Sequence, residues 1–139
     1  MKNIKLLKFQ DYTDKYGHLT PLEANGEIPF DINRVYYISK VEPEVRRGFH
    51  SHEDLEQVLI CVSGSVKILV KTPYEEKIVT LNDQTDGLYI GPMIWREMYD
   101  FSEHAVLLVL ASKHYDVKDY IRDYEEYEKL AKTYFKEEK

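Results

Sequence analysis

Cysteine is almost absent. Cys61 stands alone in 139 residues, which rules out an internal disulfide and any multi-cysteine zinc or iron–sulfur site, and the residue reads as a small buried hydrophobe. No apolar run approaches the ~18 residues that a membrane span needs. Met1-Lys2-Asn3-Ile4-Lys5 leads into no apolar stretch that could form the core of an export signal. A soluble, cytoplasmic protein is the expectation. Positive charge is also in deficit. Nineteen Lys and Arg face 25 Asp and Glu, a formal net charge of −6, which argues against a nucleic-acid backbone or an anionic membrane as the main partner. Arginine is scarcest among the charged types: fourteen lysines scatter along the chain, while the only arginines are Arg34, Arg46, Arg47, Arg96 and Arg122. A guanidinium fork suits bidentate binding of phosphate or carboxylate in a way that an ammonium does not, so small anions remain plausible ligands.

What is present is enough for a core. Apolar residues make up 43% of the chain, too many for a disordered polymer, and at roughly 100–200 residues per domain the length predicts one domain over 1–139. From about residue 5 to 111 the chain runs through short β-like segments separated by turn residues, as in a sandwich or barrel. The expected strands are 5–9, 18–23, 34–38, 46–52, 56–62, 65–70, 77–81, 87–90, 95–100 and 105–111. Pro29, Pro43, Pro73 and Pro92 fall between them, where a missing N–H harms no ladder. Ser63-Gly64 reads as a hairpin turn joining two Val- and Ile-rich runs. Near the C-terminus the period changes. Tyr120, Tyr124, Tyr127, Ala131 and Tyr134 recur at steps of 4, 3, 4 and 3, which predicts an amphipathic helix over about 117–135 with Asp116 as its cap and Asp119 in its first turn. The tyrosine stripe reads as packing surface. There is no internal repeat, and the only biased segment is the charged tail Lys136-Glu137-Glu138-Lys139.

The segment with chemistry in it is Arg46-Arg47-Gly48-Phe49-His50-Ser51-His52-Glu53-Asp54-Leu55-Glu56-Gln57. On a strand, residues i and i+2 share a face, so His50 and His52 project side by side about 6–7 Å apart into one cavity. Isolated histidines such as His18, His104 and His114 carry no such signal. The segment resembles the first motif of the cupins, small jelly-roll β-barrels, with His50, His52, Glu56 and Gly64 in the motif's positions and its first Gly displaced toward the histidines. In metal-binding cupins the two histidines and the glutamate are ligands, completed by a histidine from a second motif. Here that region reads Gly87-Leu88-Tyr89-Ile90-Gly91-Pro92-Met93-Ile94-Trp95-Arg96-Glu97-Met98, with Arg96 where the histidine is expected. A guanidinium has no lone pair and repels a dication, which disfavours a metal and leaves the histidines free for acid–base work near neutral pH.

Over nearly its whole length the chain further resembles the sugar-nucleotide 3,4-ketoisomerases, which act on dTDP-4-oxo-6-deoxy-D-glucose. The matching stretches are Ile28–Ile38, Arg47–His52, Leu55–Val58, Gly87–Pro92, Trp95–Met98 and Asp119–Arg122. The resemblance implies an all-β cupin barrel with one C-terminal helix, a homodimer without metal or other cofactor, that moves the ketone from C4 to C3 for a 3-amino-3,6-dideoxy sugar of the cell surface. His50 and His52 are then the expected catalytic acid and base. Arg47, Tyr37 and Arg96 are candidates to stabilise a developing enediolate, and Arg34, Arg122 and Lys71 to bind the diphosphate. Gln57 binds substrate or orients a neighbour. Tyr16 and Arg96 occupy the positions that distinguish the two product branches of the family. Histidine at 96 could shuttle a proton where arginine cannot, and with Tyr16 helping to hold the ring the pair implies the gluco-configured (quinovose-type) product rather than the galacto (fucose-type) one. A metal-dependent cupin enzyme, a 3,5-epimerase and a non-catalytic sugar-nucleotide binder are the alternatives.

Overall fold

The computed structural model describes residues 1–136, so all but the first residue of the charged tail, residues 137–139, lies outside the described residues. Twelve strands appear among the described residues. They are β1 (Ile4–Lys8), β2 (Tyr12–Asp14), β3 (Gly17–Leu19), β4 (Arg34–Ser39), β5 (Arg47–His52), β6 (Gln57–Ser63), β7 (Val66–Lys71), β8 (Glu76–Leu81), β9 (Asp86–Ile90), β10 (Trp95–Tyr99), β11 (Val106–Ala111) and β12 (Tyr120–Ile121), followed by one helix, α1 (Tyr124–Tyr134). They form two five-stranded antiparallel sheets, ordered β1-β9-β6-β11-β4 and β12-β5-β10-β7-β8, with β2-β3 as a separate hairpin. This is the cupin jelly roll, mostly sheet with a C-terminal helix.

The uninterrupted apolar run of β6 has a simple cause, because both of its faces are covered. Leu59 and Cys61 point into the barrel core together with Ile68, Leu88, Leu107 and Val109. Val58 and Ile60 point the other way and are covered by Phe9, Ile28 and Phe30. Full burial of such a side chain contributes about 1.5–3 kcal/mol, so the loop over this sheet adds a second core rather than a decoration.

Three expectations need correction. Ser63-Gly64 is not a hairpin turn, because β6 and β7 belong to different sheets and the turn carries the chain across the barrel edge. Gly64 has φ +73, and a Cβ there would collide with the Ser102 hydroxyl and sit 2.9 Å from Ala105 Cα, so close approach of two backbones explains this glycine. The run 18–23 shortens to β3, which pairs with β2, a strand that hydropathy alone did not reveal. Finally, the helix begins later than its tyrosine period suggested. Asp116 accepts from Lys118 N and caps only a 3-10 turn over Val117–Asp119, after which Tyr120 turns extended at φ −81, ψ 136. Tyr120 and Ile121 then pair with His52 and Ser51, because the free edge of β5 offers backbone hydrogen bonds that a helix could not satisfy. From Tyr124 onward the stripe holds. Tyr127 and Ala131 are buried, Trp95 meets Tyr124 edge-on at 5.0 Å, and the Tyr127 hydroxyl reaches the carbonyls of Met93 at 2.9 Å and Lys71 at 3.0 Å.

Candidate active site

A kink in β5 sets the histidines. Arg96 pairs with His50 and Glu97 with Gly48, so Phe49 is the extra residue of a bulge. Phe49 takes φ +55 and Gly48 φ +99. A Cβ at Gly48 would lie 3.0 Å from the Arg96 carbonyl, so only glycine lets β5 come this close to β10. Bulges of this kind redirect side chains next to active sites. Beyond it His50 and His52 share the inner face, their rings edge to face at 4.9 Å. Tyr120 covers both, 5.0 Å from His50 and 4.4 Å from His52.

Hydrogen bonds fix the tautomers. His50 Nδ1 lies 3.0 Å from the Gly48 carbonyl, which can only accept, so Nδ1 carries the proton and Nε2 bears the lone pair. His52 Nδ1 lies 2.9 Å from Asp119 Oδ2 and is likewise the protonated nitrogen, while His52 Nε2 is buried with no partner among the described residues. Arg96 pairs across the strands with His50 and is 2% exposed. Its Nη1 donates to Gln57 Oε1 at 2.6 Å and its Nε to the Ile94 carbonyl at 3.2 Å, and Nη2 has no partner among the described residues. Gln57 in turn donates to the Tyr36 hydroxyl at 3.1 Å. Among the described residues no carboxylate touches this cation, which is held inside the barrel by amide and carbonyl dipoles with Asp119 as a more distant attraction.

Burial and this cation keep the imidazoles neutral. Desolvation, then Arg96, pushes His50 down to about 4 from the ordinary 6.5. The same causes in the same order hold His52 well below the usual histidine range, outweighing the Asp119 carboxylate, which favours the proton. Burial also lowers Arg96, to about 10, which leaves it charged at neutral pH. A stability consequence follows. Between pH 6.5 and about 4 an unfolded His50 binds a proton that the folded chain does not, so stability is lost as pH falls through that window, by on the order of 3 kcal/mol at its foot. Urea unfolding at stepped pH should show His50→Asn losing less stability than the unmodified chain over this range, and equal losses would contradict the assignment.

The two histidines, Arg96 and Gln57 come together, and of the four His50 reaches the wall of a cavity of about 410 Å³. Tyr36, Tyr37, Arg47, His50, Tyr120 and Arg122 are among its lining residues. Arg122 lies over the Tyr120 ring at 4.4 Å, and Arg34 lies between the rings of Tyr36 and Tyr115 at 5.3 and 5.7 Å. Two candidates lie elsewhere in the subunit. Lys71 pairs with Trp95 and its ammonium sits over Tyr124 at 4.3 Å, on the helix side of the sheet, because residues alternate along β7 and Val70 takes the face of Arg96. Tyr16 is 85% exposed at the tip of the β2–β3 hairpin. Glu56, the third position of the cupin motif, accepts from the Tyr89 hydroxyl at 2.7 Å instead of joining the histidines. Among the described residues no group of three or more His, Cys, Asp or Glu is placed to hold a metal ion.

Residues 2–132 match the family described as FdtA: WxcM-like, C-terminal. The TDP-4-oxo-6-deoxy-alpha-D-glucose-3,4-oxoisomerase of Aneurinibacillus thermoaerophilus is 44% identical over 135 residues, 96% of this chain and 97% of its own. The chain belongs to the FdtA-like family of sugar-nucleotide 3,4-ketoisomerases. Its fold agrees with solved members of this ketoisomerase family. A mutant of the 3,4-ketoisomerase QdtA from Thermoanaerobacterium thermosaccharolyticum, solved with TDP-4-keto-6-deoxyglucose, matches at 60% identity and TM-score 0.95 over 97% of this chain and 98% of its own. WlaRB, a TDP-quinovose 3,4-ketoisomerase of Campylobacter jejuni, matches at 47% and 0.90 (93% and 99% covered), and WlaRA, a TDP-fucose-3,4-ketoisomerase of the same organism, at 36% and 0.88 (93% and 96% covered). Both product branches are therefore represented among this ketoisomerase's structural relatives.

Three residues of the site escaped sequence reasoning. The sequence points to Tyr37, whereas on β4 it is its neighbour Tyr36 that alternates inward. Tyr120 and Asp119 were absorbed into the helix. The signal that could have placed them was the Asp119–Arg122 match to the family, which the helical period obscured.

Proposed function

We propose that this ketoisomerase converts TDP-4-keto-6-deoxyglucose to the gluco-configured TDP-3-keto-6-deoxy sugar, the form a 3-amino-3,6-dideoxyhexose pathway requires. The observation that carries this reading is a pair of neutral imidazoles below an arginine-rimmed cavity, each with Nε2 unprotonated. His50 Nε2, on the cavity wall, takes the C3 proton. The C3–H electrons form the C3=C4 bond and the carbonyl electrons collect on O4, where the fixed charges of Arg96 and Arg47 stabilise them. O3 then passes its proton to O4, which becomes the product hydroxyl, and as the O3 electrons form the C3 carbonyl the C3=C4 pair takes a proton at C4 from a water, whose hydroxide recovers the proton held on His50. In a gluco ring the hydrogens on C3 and C4 lie on opposite faces. The proton must therefore return on the face opposite the one it left, and one imidazole cannot perform both transfers.

Arg122, over Tyr120, and Arg34 suit the diphosphate, and Tyr37 the sugar at the rim. Glu56 bonded to Tyr89, and Arg96 beside the histidines, support chemistry without a metal. Tyr16 does not line this subunit's cavity and stands exposed at the hairpin tip, where it can reach a second subunit's. Together with Val35 and Tyr37, 56% and 69% exposed on the edge strand β4, this supports a homodimer, which light scattering at micromolar concentration would check. A nucleotide-linked substrate fits a cytoplasmic location.

For the gluco branch, support comes from Tyr16 with Arg96 and from the greater identity to the quinovose-type neighbour than to the fucose-type one. Incubation with TDP-4-keto-6-deoxyglucose in deuterated water, followed by NMR, tests all of this. A C3 ketone with deuterium at C4 and a large trans-diaxial H4–H5 coupling in the residual protonated fraction is expected. Exchange at C5 without movement of the ketone would point to an epimerase and no exchange to a binder, and a galacto product would overturn the branch. Arg96→His combined with Tyr16→Arg is expected to shift the product toward galacto, read by the same coupling.

A further inference from the structure

The reading above needs His52 Nε2 unprotonated, and the group on that ring's other nitrogen is the Asp119 carboxylate. Asp119 ends the 3-10 turn before β12, and both of its carboxylate oxygens are engaged. Oδ2 accepts from His52 Nδ1 at 2.9 Å, and Oδ1 accepts from the backbone N–H groups of Glu53 and Asp54, each at 3.1 Å. The same Glu53 N–H is shared with the Asp119 carbonyl, at 3.2 Å. Immediately beyond it, Tyr120 and Ile121 are laddered onto His52 and Ser51. The carboxylate is thus held from two sides, by its own backbone against β5 and by the turn after β5, and cannot rotate away from the imidazole. A surface aspartate that merely capped the 53–54 turn would need only one oxygen. The second is directed at a ring that is 1% exposed and whose far nitrogen has no partner among the described residues.

We infer that Asp119 is a positioning residue of the proton-transfer machinery, holding His52 in the Nδ1–H tautomer so that Nε2 remains an unprotonated acceptor inside the barrel. The inference deepens the ketoisomerase reading and rests on it for its kinetic part. Imidazole has two nitrogens of similar basicity, and without a fixed acceptor on one side the ring populates both tautomers. A carboxylate, unlike an amide, can only accept, so it selects one of them.

The decisive variant is Asp119→Asn. Its carbonyl oxygen can keep the bonds from Glu53 and Asp54, while its NH₂ then faces His52 Nδ1 and requires the proton on Nε2. Turnover of TDP-4-keto-6-deoxyglucose is expected to fall by about 10²–10⁴-fold. The affinity for TDP should stay within about threefold, since neither His52 nor Asp119 lines the cavity. Long-range ¹H–¹⁵N NMR of histidine-labelled protein gives a readout that a structural cap would not move. In the unmodified chain His52 should show a protonated Nδ1 and a bare Nε2, and Asp119→Asn should reverse them. A bare Nδ1 in the unmodified chain would overturn the inference, as would unchanged turnover in the variant or a loss of TDP affinity as large as the loss of turnover. If the variant does not fold, the spectrum of the unmodified chain still decides. If the unmodified chain does not isomerise TDP-4-keto-6-deoxyglucose, the functional reading fails while the tautomer measurement continues to judge Asp119.

Discussion

His50→Asn and His52→Asn are each expected to lower turnover by about 10²–10⁴-fold, the usual contribution of a positioned proton-transfer group, while the chain stays folded and still binds TDP. The two losses should differ in origin. His50 lines the cavity and its Nε2 is open to a sugar, so its removal takes away the group that meets C3. His52 lies behind it, under Tyr120 and bonded to Asp119, so its removal cuts the acceptor next to that group and leaves Asp119 Oδ2 unpaired at a partly buried site. The double variant should lose little more than the worse single one, because groups that act as a unit are not additive. Neither replacement opens a large void. Asparagine at 52 does strand a carboxylate oxygen, which costs about 1–3 kcal/mol, so His52→Asn should melt lower than His50→Asn. Steady-state kinetics with calorimetric TDP binding and thermal melts checks all four statements. Near-native turnover in both single variants would refute the proposed chemistry.

What the sequence made legible follows from how local each feature is. The strand pattern of 34–111 could be read because alternation and Val/Ile content are properties of five or six consecutive residues, and the inward pair His50 and His52 needs only the two-residue period of a strand. The sheet to which a strand belongs is not local. Ser63-Gly64 looks the same whether the chain folds back on itself or crosses the barrel, and only the pairing of β6 with β9 and β11 separates the two. The C-terminal segment failed for another reason. Tyr120 falls four residues before Tyr124, in register with a true helical stripe, and the competing demand came from the unpaired edge of β5, far earlier in the chain at His52. Long-range hydrogen bonding overrode a local period. The same distance hid Asp119. Lys71 was nominated by charge alone, whereas the alternation of β7 turns it away from Arg96. The bulge at Phe49 could not be foreseen either, yet it sets the aim of His50.

Arg96→Met is expected to abolish most turnover without lowering stability, and this opposition is what would mark Arg96 as functional. Its guanidinium is almost wholly buried and meets no carboxylate; its hydrogen bonds go to Gln57 Oε1 and the Ile94 carbonyl, with Nη2 unpartnered among the described residues. Burying an ion costs several kcal/mol even after relaxation, and the attraction of Asp119, which is not in contact with the guanidinium and is bonded to His52, offsets only part of that cost. Methionine fills a similar volume with a flexible apolar chain. The variant leaves the Gln57 carbonyl short of a donor, a cost of about 1–3 kcal/mol, which is smaller than the desolvation it removes. The melting temperature should therefore hold or rise. Two effects bear on the reaction. The cation proposed to stabilise the enediolate is gone, and loss of one such preorganised donor typically lowers turnover by about 10²–10³-fold. In addition, Arg96 is the second cause of the lowered His50 and His52 values, so without it both imidazoles become easier to protonate. The acid limb of the residual kcat/KM profile should accordingly move to higher pH. A variant that melts well below the unmodified chain would show instead that Arg96 is there for packing, and full turnover with methionine at 96 would remove it from the chemistry altogether.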